Sequence, residues 1–393
     1  MNSATPVKTT TFLKDVLICS LGAYGGPEAH IGVFQDQLVS KKNYLDEEEL
    51  IELVALCSIL PGPTSTQTIV AVGYKTGGPL LGFLTMVVWA LPVLMIMSAL
   101  SFLYGFLALR DLPLDGLRYI GPMAVGFIVL AAFRIGRKVV TDRLTLALML
   151  VSFTVTYYVR SPWIFPLLLL LGGGVSVAAS REKDLWQRVK IHPPWGFLAA
   201  FFGLAALSLA ATLLIDDTLV HLFESFYRYG YLVFGGGQVV VPLMYSEMVE
   251  LREYVSHPEF LTGYGLVQGL PGPMFSFSAY IGGMAARGTT VLYQLTAAFV
   301  SGLGIFLPGL LLIYFIYPLW EALKKIRGIR ISLRGINAVA AGMIAVAALV
   351  LLEKNGLSPG NLLATVLTLG LLATKKIPAP LIVILALLAG FVL

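Results

Sequence analysis

Charge is what this chain of 393 residues has least of. Asp, Glu, Lys and Arg together make up 12% of it, about half the share in a soluble domain. That scarcity argues against a water-soluble enzyme or binding module. Cysteine is almost missing too. Cys19 and Cys57 both lie in apolar stretches, which excludes a disulfide framework and a cysteine-based metal centre. No apolar run occurs within residues 1–10, so no cleavable signal peptide is expected there. The Gly-rich signature of a P-loop does not occur, so ATP hydrolysis by this chain is not expected. Strict apolar–polar alternation is absent as well, which argues against a β-barrel.

What the chain has instead is apolar length. Hydrophobic residues make up 57% of it, and the mean hydropathy is +0.84. They come in runs such as Leu81–Leu109, Leu144–Tyr158, Ile164–Ser180, Gly196–Ile215, Val339–Leu352 and Pro380–Leu393. Several approach the roughly twenty residues that cross a bilayer core. The expected fold class is an all-α polytopic membrane protein whose standing partner is the lipid bilayer. The net charge of +5 sits mostly in loops, where it reports topology and gives no reason to expect nucleic-acid binding. Neither cofactor nor metal is expected. A homodimer is compatible with this composition.

The chain repeats itself. Leu60-Pro61-Gly62-Pro63 returns as Leu270-Pro271-Gly272-Pro273, 210 residues later (270 − 60 = 210). At the same offset Tyr24-Gly25-Gly26-Pro27 returns as Phe234-Gly235-Gly236-Gly237, Gly73 as Gly283 and Gly78 as Gly288. Beyond that the offset becomes 216, pairing Pro92 with Pro308, Gly126 with Gly342, Pro162 with Pro378 and Gly174 with Gly390. The organisation expected is an N-terminal repeat over 1–180, a linker loop and linker helix over 181–220, and a C-terminal repeat over 221–393. Six segments per repeat plus one linker helix give about thirteen transmembrane segments. The odd linker would turn the second copy upside down. Loop charges point the same way. Arg134, Arg137, Lys138 and Arg143 form a basic loop in the first copy, whereas the counterpart near Glu353-Lys354 is neutral. The cluster Lys324, Lys325, Arg327, Arg330 and Arg334 is instead in the second copy, opposite a balanced loop in the first. The positive-inside rule then places the N-terminus in the cytoplasm and the C-terminus outside.

The breaks are the expected site. Proline lacks an N–H and pushes the preceding residue out of the α region, so residues 48–75 should form two half-helices meeting at Leu60–Pro63. In lipid such a gap persists only where protein or a wet cavity covers it. The second half-helix would open with Pro63, Thr64, Ser65, Thr66 and Gln67, adding hydroxyls to unpaired N–H groups at a positive dipole end. That suits a small oxyanion. Gly26, Gly236, Gln238, Pro273 and Ser276 complete the expected substrate-binding set. Glu28 and His30, which Gln238 and Val240 replace in the second copy, are the candidates for proton coupling. Blander roles exist for each: a packing kink for Pro-Gly-Pro, a plain helix-start charge for Glu28, a satisfied interior His30, and hydroxyls of Ser65 and Thr66 that bond back to their own helix. Arg228, within Phe226-Tyr227-Arg228-Tyr229, reads as an interfacial anchor. Glu247 and Glu250 read as residues of the cytoplasmic edge.

At these motifs the chain resembles the chromate ion transporter family, long-chain two-repeat type. The matching stretches include Gly25-Gly26-Pro27-Glu28-Ala29-His30 with Phe34, Tyr44-Leu45-Asp46, Leu60-Pro61-Gly62-Pro63 with Ser65 and Gln67, and Gly73-Tyr74. In the second half they include Pro242-Leu243, Glu247, Gly263-Tyr264-Gly265, Pro271-Gly272-Pro273 and Ala279-Tyr280. Gln35, Gln37 and Gln238 depart from the pattern, standing where many relatives carry Arg, an acid and His. The resemblance implies chromate efflux across the bacterial inner membrane by a secondary transporter with two oppositely oriented halves. Sulfate, a tetrahedral dianion of similar shape, is the alternative cargo. A membrane-embedded enzyme is a remote third, since no nucleophile–base pair emerges within the apolar segments.

Overall fold

The computed structural model describes residues 8–109, 115–159, 161, 163–182, 185–186, 192–233, 240–323 and 326–392, with the backbone alone at 27, 28, 109 and 321. Among the described residues every regular element is helical. Among the described residues five helical stretches are long and apolar enough to cross a membrane: Thr64–Ala108, Asp115–Val139, Trp195–Leu214, Val291–Leu319 and Arg327–Lys354. Shorter apolar helices are Arg143–Tyr158, Ile164–Ala178, Pro359–Ala373 and Ala379–Val392.

The first half opens with α1 (Thr9–Gly22) and α2 (Pro27–Phe34), and α2 continues into a π-helical turn over Gln35–Lys41. Then come α3 (Glu47–Ile59) and α4 (Thr64–Leu109), which is kinked at Gly77 and Gly78. After these follow α5 (Ile120–Val139), α6 (Arg143–Tyr158) and α7 (Ile164–Ala178). Helix α8 (Trp195–Leu214) links the halves. Only 11% of its apolar window is covered by protein, so it lies at the rim against α9 and α13. The second half comprises α9 (Thr218–Leu232), α10 (Val240–Tyr245), α11 (His257–Val267), α12 (Phe277–Ala285), α13 (Val291–Ile316), α14 (Trp320–Leu323), α15 (Arg327–Lys354), α16 (Pro359–Ala373) and α17 (Ala379–Val392).

Local chemistry explains many of the ends, and it recurs at the sequence offset. Asp46 and Glu49 form a capping box at the start of α3, as do Ser256 and Glu259 at the start of α11. Asp142 caps α6 and Ser358 caps α16. The π-helical turn over Gln35–Lys41 has a counterpart over Ser246–Leu251. Helix α3 stops at Ile59, and Leu60 before the first proline is extended at φ −81°, ψ 149°, as the proline ring demands.

The halves interleave. Helix α5 packs on α16 and α17, while α15 packs on α6 and α7. Thr365 Oγ1 donates to Pro122 O at 2.9 Å, and Ser152 Oγ donates to Val339 O at 2.8 Å. Glycine lets these helices approach. A Cβ on Gly126 would meet Thr368, and one on Gly342 would meet Met149 and Ser152, the equivalent turn of the other half. A single large apolar core crosses both halves. Large apolar side chains such as Leu213, Leu214 and Leu170 point outward, as they do where lipid is the solvent.

Candidate oxyanion site

Both proline breaks lie against the other half. Gly62 N–H donates to Val233 O at 2.7 Å, and Gly272 N–H donates to Ala23 O at 2.7 Å. The two bonds are the same bond in the two copies, since 233 follows 23 by the 210 residues that separate the glycines. Gly62 has φ +125° and Gly272 φ +97°, conformations that glycine reaches without a Cβ penalty. The clasp therefore needs glycine between the prolines.

Helix α4 starts immediately after the first break. Gln67 N–H is the first to bond back, to Pro63 O at 2.9 Å. Ser65, Thr66 and Gln67 are buried. The second break starts more weakly, with a 3₁₀ turn over Met274–Ser276 before α12. A small cavity joins the two starts, lined by Pro63, Thr64, Ser65, Thr66, Pro273, Met274, Phe275 and His30. Its volume is about 10 Å³, room for about one water. A tetrahedral oxyanion would require the walls to part.

His30 is 2% exposed, and its Nδ1 lies 2.9 Å from Ser65 Oγ. Trp89 Nε1 donates to Thr66 Oγ1 at 3.1 Å, and its ring meets His30 edge to face with centroids 5.4 Å apart. Ser20 Oγ donates to Trp89 O at 2.7 Å. Ser65 is thus held by His30 of α2 and Thr66 by Trp89, on the far side of the kink in α4, whereas Thr68 bonds back to Thr64 O at 2.8 Å.

The other expected residues go elsewhere. Gln67 Nε2 donates to Pro61 O at 2.8 Å and braces the break, while its Oε1 is buried without a partner. Ser276 is buried with its Oγ unpaired and does not line the small cavity. Gly26, at φ +89° before α2, lines a separate, wider cavity. Glu28 is the second residue of α2; its side chain is outside the described set, as are Gly236 and Gln238 altogether.

Two buried ionic clusters were not anticipated from the sequence. Arg228 is 4% exposed and Glu247 is 2% exposed, so neither is an edge residue. Arg228 bonds Glu224 through Nε at 2.7 Å and through Nη2 at 3.0 Å, and its Nη2 reaches Glu247 at 2.9 Å. Tyr229 OH donates to Glu247 at 2.7 Å and Ser225 Oγ at 3.0 Å. At the equivalent place in the first half, Asp15 accepts from Gln37 Nε2 at 3.1 Å and from Tyr44 OH at 2.6 Å, with Lys42 at 3.1 Å. The acid has changed sides: Ser225 matches Asp15, and Glu247 matches Gln37, at the offset of 210. The i, i+4 spacing of Glu224 and Arg228 was the available signal.

An all-helical chain with long apolar spans and an outward apolar face is an integral, polytopic membrane protein. This one belongs to the chromate transporter family, whose model, described as "Chromate transporter", matches residues 10–177 and again 220–391. The chain is 30% identical to a "Probable chromate transport protein" of Synechococcus elongatus, over 98% of this chain and 94% of that one. It is 29% identical to a "Chromate transport protein" of Cupriavidus metallidurans, over 94% and 89%, and 25% identical to one of Pseudomonas aeruginosa, over 85% and 77%. No solved structure matches. These relatives are named as transport proteins, not as enzymes.

Proposed function

We propose that this protein is a secondary active transporter that exports chromate from the cytoplasm across the inner membrane. The oxyanion binds at the half-helix starts, between Thr64–Thr66 of α4 and Pro273–Phe275 of the second half. The observation that carries this is the reciprocal clasp. It sets two interrupted helices against one small cavity that carries hydroxyls, an imidazole and unpaired N–H groups. Donors in a dry site at a helix start favour an anion. His30, bonded to Ser65, and Glu28, in the first turn of α2, carry the coupling proton.

Repeats over 1–180 and 221–393, separated by the linker over 181–220, run in opposite senses, with about thirteen crossings. Helix directions support this. Contacts between α5 and α16 advance in the same sense along both, from Pro122 with Thr365 to Arg134 with Leu372. Those between α15 and α6 do likewise, from Arg334 with Thr141 to Val339 with Ser152. Since the short turn over residues 140–142 reverses α6 against α5, α5 and its equivalent α15 point opposite ways. Basic residues at the end of α5 support an N-terminus in the cytoplasm and a C-terminus outside.

Uptake of labelled chromate into inside-out vesicles, with sulfate as competitor and with the pH gradient collapsed, tests the reading. Ser65→Ala with Thr66→Ala is expected to lower transport at least ten-fold, the scale of losing one or two donors in a dry site. Parent-level transport by that variant would overturn the donor site. Indifference to the pH gradient would overturn the coupling. Neutral donors discriminate poorly between tetrahedral dianions, so sulfate outcompeting chromate would reassign the cargo.

A further inference from the structure

The wider cavity beside Gly26 has no role so far. It measures about 420 Å³ and lies between α5, the end of α11, the break at Gly272 and the turn joining α16 to α17. Two cations line it, Arg134 and Lys375, and among its described lining residues there is no carboxylate. Arg134 Nη2 donates to Leu372 O at 3.0 Å, which ties the guanidinium to the end of α16 and leaves other members of its five-donor fork for a ligand. Lys375 follows α16 at φ +56°, a conformation that a residue with a side chain adopts only at a cost. Gln268 adds an amide whose buried Nε2 has no partner. At the floor, Met274 lines both this cavity and the small one at Thr64–Thr66, so one flexible side chain stands between them.

The equivalent place in the other half is different. At the offset of 216, Leu130, Ala131 and Arg134 correspond to Val346, Ala347 and Val350, and Leu372 corresponds to Thr156. Those four counterparts line a cavity of only about 30 Å³. One mouth is therefore open and cationic. Its counterpart is narrow at Ala347, has valine at the arginine position, and adjoins through Tyr245, Ser246 and Glu250 a cavity of about 550 Å³ that carries the carboxylates of Glu250 and Glu253 beside Lys354.

Building on the proposed transport function, we propose that the wide cavity is the entry vestibule of the path. Arg134 and Lys375 capture a dianionic tetrahedral oxyanion there, and Met274 is the partition it passes to reach Thr64–Thr66. Because Arg134 and Lys375 correspond to Val350 and Val159 in the counterpart, capture is faster from the side where α5 ends, the cytoplasmic side in the orientation proposed above. A cleft lined by one sign of charge raises the local concentration of its counter-ion in a salt-dependent way.

The test uses the full chain in inside-out vesicles with a membrane-impermeant maleimide. Cys19 and Cys57 are both buried, so the background is low. Ala131→Cys should label at least about ten times faster than Ala347→Cys, the contrast expected between a wet cleft and a closed core. Arg134→Gln should raise the half-saturating chromate concentration about five-fold at low salt, with a smaller effect on the maximal rate and a gap that narrows at high salt. Arg134→Lys should recover most of the loss, which a purely structural role would not give. Equal labelling at the two positions, or an unchanged half-saturation in Arg134→Gln, overturns the vestibule. Labelling needs no substrate and so separates the two proposals. If Ala131→Cys labels first and sulfate protects it while chromate does not, the vestibule stands and the chromate assignment falls.

Discussion

Gly62→Ala probes the clasp directly. The residue sits at φ +125° between two prolines, and its N–H holds Val233 O of the other half. Forcing an alanine into that region costs about 1–3 kcal/mol. The new Cβ would lie 2.6 Å from Gln67 Nε2 and 3.0 Å from its Cδ, so the amide must swing away from Pro61 O. Losing that 2.8 Å bond adds about 1 kcal/mol, for a total of about 2–4 kcal/mol. Gly26→Ala is the control. It has φ +89° but nothing within 4 Å of the added atom, so it carries strain alone. The two variants should differ by about 1 kcal/mol, roughly five-fold in the folded-to-unfolded ratio. Thermal unfolding of purified protein, followed by fluorescence-detected gel filtration, measures the difference. Adding Gln67→Ala to Gly62→Ala should cost less than the sum of the single changes, since the clash has gone. A Gly62→Ala protein that melts at or above Gly26→Ala would refute the reasoning.

Other expectations follow from contacts at the half-to-half seams and in the ionic cluster. Arg228→Met leaves Glu224 buried without its cation and Glu247 with only Arg252 Nε, 3.4 Å away, and should cost about 3–5 kcal/mol, read as a collapse in monodisperse yield. Replacing both acids by glutamine in that background should recover part of it. Gly342→Ala places a Cβ 2.3 Å from Met149 O and 2.9 Å from Phe153 N, backbone atoms that cannot step aside. The overpacking costs about 1–3 kcal/mol against a helix-propensity gain of about 1 kcal/mol, so its melting temperature should fall. Gly174→Ala, with nothing within 4 Å, should gain stability instead, and the opposite ranking would count against the packing described. Trp89→Phe removes the 3.1 Å bond to Thr66 and should cost about 1 kcal/mol, measured in the same melting assay.

What could be read in advance was whatever single residues impose on their own backbone. Leu60 before Pro61, the glycine between the prolines and the helix start at Thr64 all follow from local sterics. Asp46, Asp142 and Ser256 announce helix starts in the same way. Partnership was not legible. Nothing local in α5 says that it will pack on α16 and α17 and not on its sequence neighbours. The site shows the same division. That Thr64, Ser65 and Thr66 would line the break was legible because a break must be lined by something. The bracing of Pro61 O by Gln67 is local but has no composition signal, and the place of Met274 on both cavities depends on how the two halves meet. Arg228 was misjudged because aromatic neighbours suggest an interface, whereas burial depends on Glu247, nineteen positions along. The π-helical turns over Gln35–Lys41 and Ser246–Leu251 have no reliable composition signature, and only their recurrence marks them as built-in.

The interleaving of α5 with α16 also has a price in time. The bond from Thr365 to Pro122 spans 243 positions. At the usual pace of synthesis the earlier helix waits about 10–50 s for its companion to emerge. Throughout that interval its glycine-lined groove faces lipid or an escort protein. Biogenesis of this chain should therefore depend on the insertion machinery holding an incomplete half steady, and slowing the ribosome late in the message should raise the share lost to proteolysis.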